Sequence, residues 1–231
     1  MHMGSWSFRS AGLLAAALFI AGCADQKPTA AAPAAAPAVA DGSKEQVLLG
    51  RAMVIEHDCA GCHGGAGPDS KGWLAGVMSP QQEFGIGACS MKDPKAKPCF
   101  TTRPRNLTPD SATGLGRFTE RQIFNALKFG LRPEDTPDVD ITSTTPGQGN
   151  FPATPHYLAP PMPWTAWRYM TDVQLKAIAA YLKRGLLPFS NKVAESEGPP
   201  DFWAGIYADT TMVGPYPVRA FPAASEKPPQ P

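Results

Sequence analysis

Two cysteines three positions apart, followed at once by a histidine, form the strongest chemical signal in this 231-residue chain: Cys59-Ala-Gly-Cys62-His63. Residues three apart on a helical turn point the same way. Two thiols so placed can reach two neighbouring electrophiles along one edge of a flat molecule. The imidazole that follows can then swing beneath that molecule to a metal at its centre. A porphyrin makes these demands: its two vinyl groups take up the thiols as thioethers, and His63 ligates the iron. C-x-x-C-H therefore reads as the attachment site of one c-type haem. Two other chemistries use a C-x-x-C pair. A thiol–disulfide redox centre expects a βαβ setting, which is absent around residue 59. A zinc site needs a second ligand pair, and Cys89 and Cys99 have the wrong spacing for a zinc knuckle.

The sixth ligand must come from elsewhere. Methionines stand at 53, 78, 91, 162, 170 and 212 after the N-terminal segment. Met53 is too close to the motif on the first helix, and packing explains Met170, just before a helix cap. Met162 lies in Ala159-Pro160-Pro161-Met162-Pro163-Trp164, where prolines on both sides stiffen the backbone. A lone methionine is most often core filler, so spacing alone leaves the choice open. His156, six residues earlier, is either a haem-edge contact, a competing ligand or an ordinary loop residue.

Three helices with N-terminal caps must position these groups. Ser43 to Gln46, Thr119 to Gln122 and Thr171 to Gln174 each read as a capping box. Apolar residues follow at helical spacing: Val47, Leu48, Val54 and Ile55; Ile123, Phe124 and Leu127; Leu175, Ile178, Ala179 and Leu182. Gly130 and Gly185 stop the second and third helices. The expected fold is all-α, with no β pattern and with long Pro/Gly-rich loops, 64–117 and 131–163, packed around one haem. Loops of that length normally count against a compact domain, but a haem supplies an apolar surface on which they can pack.

The N-terminus reads as an export signal. Arg9 precedes an apolar run that is short for a membrane span. It ends in Ile20-Ala21-Gly22-Cys23, which resembles a bacterial lipobox. The expected layout is a lipoprotein signal at 1–22 and an acylated Cys23 holding the chain to a membrane. An Ala/Pro-rich tether at 23–42 follows, with an extended reach of roughly 60 Å. The globular domain then covers 43–186, and a Pro-rich extension covers 187–231. Phe189, Phe202, Trp203 and Tyr207 are more aromatics than a linker needs, so part of the extension should wrap the domain. Export implies an oxidising compartment, where Cys89 and Cys99 pair by default. With 21 basic against 20 acidic side chains, the chain lacks the basic footprint of a nucleic-acid binder.

Over roughly 43–186 the sequence resembles a class I c-type cytochrome. The likeness rests on Cys59 to Gly64, Pro160 to Trp164 and the closing helix Met170 to Leu182. It implies Met162 as the distal iron ligand and a crossing of the first and last helices at Gly50 and Tyr181. It also implies a proximal-histidine ring N–H donated to the carbonyl of Pro68. Arg105-Asn106-Leu107-Thr108-Pro109-Asp110, with Thr113 to Thr119, is similar to cytochrome subunits that accompany bacterial periplasmic dehydrogenases. That likeness makes Asn106 and Trp164 candidates to line the haem, with Arg103 and Arg105 either partners of its propionates or ordinary surface residues.

The expected role is electron transfer without substrate chemistry. Electrons would pass between a periplasmic dehydrogenase and the respiratory chain or a terminal oxidase. A peroxidase-like enzyme or a haem-based ligand sensor is the alternative. A di-haem peroxidase needs a second C-x-x-C-H, which the chain lacks. A sensor needs a displaceable distal bond.

Overall fold

Three capped helices frame the protein, each starting where a serine or threonine closes the first turn. The computed structural model describes residues 39–77, 84–88, 98–198, 203–208, 213–219 and 222–228, with backbone alone at 84–88, 98 and 99. The signal segment, Cys23, most of the tether, Met78, Cys89, Met91 and Met212 lie outside these residues. Only the backbone of Cys99 is described.

Helix α1 spans Lys44–Glu56, and the Ser43 side chain accepts from the Gln46 N–H at 3.0 Å. The expected capping box is only half formed here. The Gln46 carboxamide oxygen accepts instead from the Gly42 N–H and from Arg184, each at 2.8 Å. The start of the first helix is thus tied to the turn Tyr181–Gly185. Helix α2, Cys59–His63, is a single turn. Helix α3, Glu120–Phe129, has the full reciprocal box at Thr119 and Gln122, and ends on Gly130 in a left-handed conformation, φ 69°. Helix α4, Trp164–Trp167, is one turn. Helix α5, Asp172–Ala180, has a full box at Thr171 and Gln174 and runs on as a π-helical turn, Tyr181–Gly185. Helix α6, Ala204–Ala208, is a short turn in the C-terminal extension. Among the described residues no helix is long and apolar enough to cross a membrane.

Helices α1, α3 and α5 enclose one apolar core built on Val54, Ile123, Leu127, Leu175 and Ile178. α1 and α5 pack backbone to backbone. A Cβ on Gly50 would lie 1.9 Å from the Ala177 carbonyl oxygen and 2.8 Å from the Tyr181 Cβ, so only glycine permits this approach. The expected crossing of Gly50 and Tyr181 is present.

A second core lies under the 131–163 loop. Phe129, Leu131, Phe151, Tyr157 and Trp164 meet Trp203 and Val213 of the extension there. One feature departs from the sequence reading: β1, Phe84–Ala88, and β2, Pro98–Thr102, form an antiparallel ribbon with Phe84 opposite Thr102 and Ala88 opposite Pro98. Gly85, Gly87 and Pro98 are poor strand formers and weaken the signal of the alternating Phe84, Ile86 and Ala88. The fold is otherwise helical.

The extension wraps the domain as expected. The Phe189 carbonyl accepts from Asn106 and Thr108, Asn191 donates to the Ala75 carbonyl at 2.8 Å, and Glu197 exchanges backbone hydrogen bonds with Thr101.

Candidate functional site

After α1, Asp58 takes a left-handed backbone (φ 47°) and caps α2, its carboxylate accepting from the Gly61 N–H at 3.2 Å. That tight cap explains the glycine inside the motif, since a Cβ on Gly61 would lie 2.4 Å from the Asp58 carboxylate. One helical turn then separates Cys59 from Cys62, and His63 closes the helix. Both cysteines are unpaired thiols. Burial, with the Asp58 charge beside it, pushes the Cys59 thiol up to about 11, and Cys62 rises for the same two reasons. Both are therefore neutral near pH 7.

His63 is 8% exposed, and its Nδ1 stands 2.7 Å from the Arg105 carbonyl oxygen. Burial lowers its pKa, partly offset by that carbonyl. A neutral imidazole facing a carbonyl through Nδ1 carries its proton there, which leaves the Nε2 lone pair for a metal.

The contact to Arg105 has a backbone cause. Beyond His63 the chain doubles back: Gly76 donates to the His63 carbonyl at 2.7 Å and Leu74 to that of Gly64 at 2.8 Å. Residues 104–107 pair with the return limb, through Val77 to Pro104 at 3.0 Å and Leu107 to Leu74 at 2.8 Å. Arg105 therefore takes the place expected for Pro68, which sits in a turn outside the cavity lining.

Asn106 is 1% exposed and spends its whole carboxamide on protein. Its NH₂ donates to Thr113 Oγ1 at 3.0 Å and the Phe189 carbonyl at 2.8 Å; its oxygen accepts from the Thr108 N–H at 2.9 Å and hydroxyl at 2.8 Å. It borders the cavity, but its side chain works as a loop clasp beside the carbonyl that holds His63.

These groups open onto a cavity of about 940 Å³. Cys59, Cys62, His63, Pro161 and Met162 all line it. Leu115, Phe118, Ile123, Leu127, Ile178 and Leu182 make its wall largely apolar. Pockets of roughly 300–1,000 Å³ with apolar walls and a few placed polar groups suit cofactors. A haem fits the donor set: two neutral thiols on one helical turn, a proximal imidazole with its distal nitrogen free, and a thioether in the same cavity. Among the described residues no cluster of three or more His, Cys, Asp or Glu side chains forms a rival metal site.

Arg103 and Arg105 both border the cavity. Their guanidinium groups also bind the extension. Arg103 pairs with Glu197 at 2.7 Å and donates to the Glu195 carbonyl, and Arg105 pairs with the Glu195 carboxylate at 2.6 Å.

Trp164 departs from expectation. It is 2% exposed, in the second core, stacked on Tyr157 and away from the cavity lining. Trp167, one turn on, lines the cavity and lies 6.3 Å from the ring of His57, which also lines it. The sequence reading missed both residues. The spacing of two tryptophans across one turn could have raised Trp167. His156 pairs with Asp135 at 3.0 Å and does not line the cavity. Met53 and Met170 pack against the first core, as their positions suggested.

No protein-family model matches the chain. It is 26% identical over 202 residues to the gluconate 2-dehydrogenase cytochrome c subunit of Pantoea cypripedii, covering 83% of this chain and 36% of that one. It is 26% identical over 178 residues to a nicotinate dehydrogenase subunit of Pseudomonas putida, covering 77% and 12%. It is 24% identical over 152 residues to the fructose dehydrogenase cytochrome subunit of Gluconobacter japonicus, covering 66% and 24%. The chain thus spans about a third or less of the length of these relatives. Over most of its own length, it is similar to cytochrome subunits of bacterial dehydrogenases, in keeping with a helical, cytochrome c-like fold.

Proposed function

We propose that this chain is a class I mono-haem cytochrome c that carries single electrons from a dehydrogenase in the periplasm towards the respiratory chain. One observation supports it most: Cys59, Cys62, His63 and Met162 all line one apolar cavity of about 940 Å³. In this reading Cys59 and Cys62 hold the haem as thioethers, and His63 and Met162 are its axial ligands. Bound there, the haem supplies an iron that gains and loses one electron. The chain's own residues do the rest. The Arg105 carbonyl fixes the His63 ring, the apolar wall excludes water, and Arg103 and Arg105 offset the propionate charge. With both axial positions taken, no site is left for peroxide or a gas, which favours a relay over the enzyme and sensor alternatives.

The same reading includes a signal at 1–22, a lipid on Cys23, a tether through 42, the domain at 43–186 with its extension at 187–231, and a Cys89–Cys99 disulfide. A lipid anchor with a reach of roughly 60 Å would keep the relay near membrane partners. The test is optical. The oxidised protein should show the far-red methionine-to-iron band, and the reduced protein should not bind CO. Met162→Ala should lose the band, bind CO and have a lower potential. Wild-type spectra in that variant would reject Met162 as ligand.

A further inference from the structure

Met162 takes its position from α4. Its N–H donates to the Ala159 carbonyl at 2.9 Å, its carbonyl accepts from the Trp164 N–H at 2.9 Å, and α4 starts two residues later. A helix of one turn has no stability of its own. Its placement therefore comes from what its side chains touch: Trp167 packs against the first core, and Trp164 and Arg168 reach the second core and the extension.

Trp164 lies flat against the chain at Gly130, where a Cβ would come within 2.2 Å of the indole. Tyr157 stacks on it with ring centres 6.0 Å apart, and Tyr207 of α6 meets it edge-on at 5.0 Å. Arg168, at the end of α4, is 3% exposed. It makes no ion pair with any described carboxylate. Its guanidinium donates instead to the carbonyls of Val213 at 2.8 Å and Pro215 at 3.4 Å. A buried cation needs compensating acceptors, and these two belong to the extension. Trp203 anchors the same segment edge-on against Phe100 at 5.0 Å.

We propose that residues 203–208 and 213–217 of the extension are a clamp that seats α4 and so holds Met162 in place as the distal ligand. Arg168 and Tyr207 are its positioning residues. Trp203 of the clamp borders the cavity, while Arg168 and Tyr207 stand outside it, so haem attachment and the proximal bond do not depend on those two residues. The clamp adds to the Met162 reading and rests on it: loss of the clamp loosens the distal bond selectively and converts a closed relay into a haem with an open sixth position.

The experiment uses the exported, haem-loaded protein in four forms: full length, ending at Pro200, Arg168→Gln and Tyr207→Ala. Three quantities are read: covalently bound haem, the far-red band of the oxidised form, and CO binding by the reduced form. Full attachment is expected in the full-length protein and the point variants. Truncation and Arg168→Gln should remove most of the band and raise CO affinity at least tenfold. Tyr207→Ala should give a partial loss that Tyr207→Phe restores. Variants that keep attached haem, the full band and no CO binding overturn the clamp. If the truncated chain does not accumulate, the two point variants decide the question on the same readouts. A full-length protein without the band overturns the Met162 reading itself, and that is known before any variant is made.

Discussion

The imidazole Nδ1 of His63 and the carbonyl oxygen of Arg105 stand 2.7 Å apart, although 42 positions separate the two residues. The contact is made by a return limb, Leu74 to Val77, that pairs with residues 104–107. The position of the histidine therefore depends on how these two limbs pair. The residues that fix the limbs should therefore matter as much as those that touch the cavity.

Asn106 is the first such residue. Asn106→Ala removes four hydrogen bonds and leaves the buried Thr108 N–H and the Thr113 hydroxyl each without the Asn106 partner. The expected cost is about 2–4 kcal/mol, from buried groups left unsatisfied at about 1–3 kcal/mol each. Asn106→Asp should not rescue it, because a carboxylate cannot donate to the Phe189 carbonyl. Chemical denaturation followed by circular dichroism measures both.

Gly50→Ala tests the helix crossing. The new methyl would meet the Ala177 backbone, which cannot rotate away. Overpacking of this kind costs about 1–3 kcal/mol or more. Thermal unfolding should show a midpoint lower by at least several degrees, since about 2–4 °C per kcal/mol is usual for a chain of this size.

Arg105→Gln separates the side chain from the backbone of that residue. The carbonyl that holds His63 remains, while the pair with Glu195 is lost. Both partners are substantially solvent-exposed, so the stability cost is about 1 kcal/mol or less. Removing a positive charge beside the haem favours the oxidised iron, so the midpoint potential should fall. An unchanged potential would assign Arg105 to the surface and not to the propionates.

In the haem-free protein, pH acts on the thiols. Cys59 is raised from 9.0 to about 11 by burial and Asp58, so the fold prefers the neutral thiol. The stability this gives is fully present below about pH 9 and is lost as pH rises towards 11. Haem-free protein should therefore unfold more easily above pH 9. At pH 8 its Cys59 should react with iodoacetamide far more slowly than a cysteine in an unfolded peptide. Equal rates would show that Cys59 is not buried in the haem-free state.

What could be read in the sequence was what is local. The motif from Cys59 to His63, the Thr119 and Thr171 caps, the Gly130 stop and the Gly50 approach each depend on a few consecutive residues or on one missing side chain. What could not be read depends on partners far along the chain. Any residue has a carbonyl, so nothing in the letters marks Arg105 over Pro68 as the acceptor for His63. The choice between Trp164 and Trp167 turns on which face of one helical turn meets Tyr207. The half-formed box at Ser43 reflects competition from Arg184 for the Gln46 side chain. In the β ribbon, glycines and a proline mask the short alternation of Phe84, Ile86 and Ala88.

The proposed function stands or falls with a haem bonded to Cys59 and Cys62. Its most direct test is the protein produced with export and haem-attachment machinery, denatured, and examined by intact mass and by the pyridine haemochrome spectrum. One haem per chain should survive denaturation and map to the peptide carrying residues 59–63, with a spectrum showing both vinyl groups saturated. Haem that washes away on denaturation, with both thiols free to alkylate, would contradict the claim.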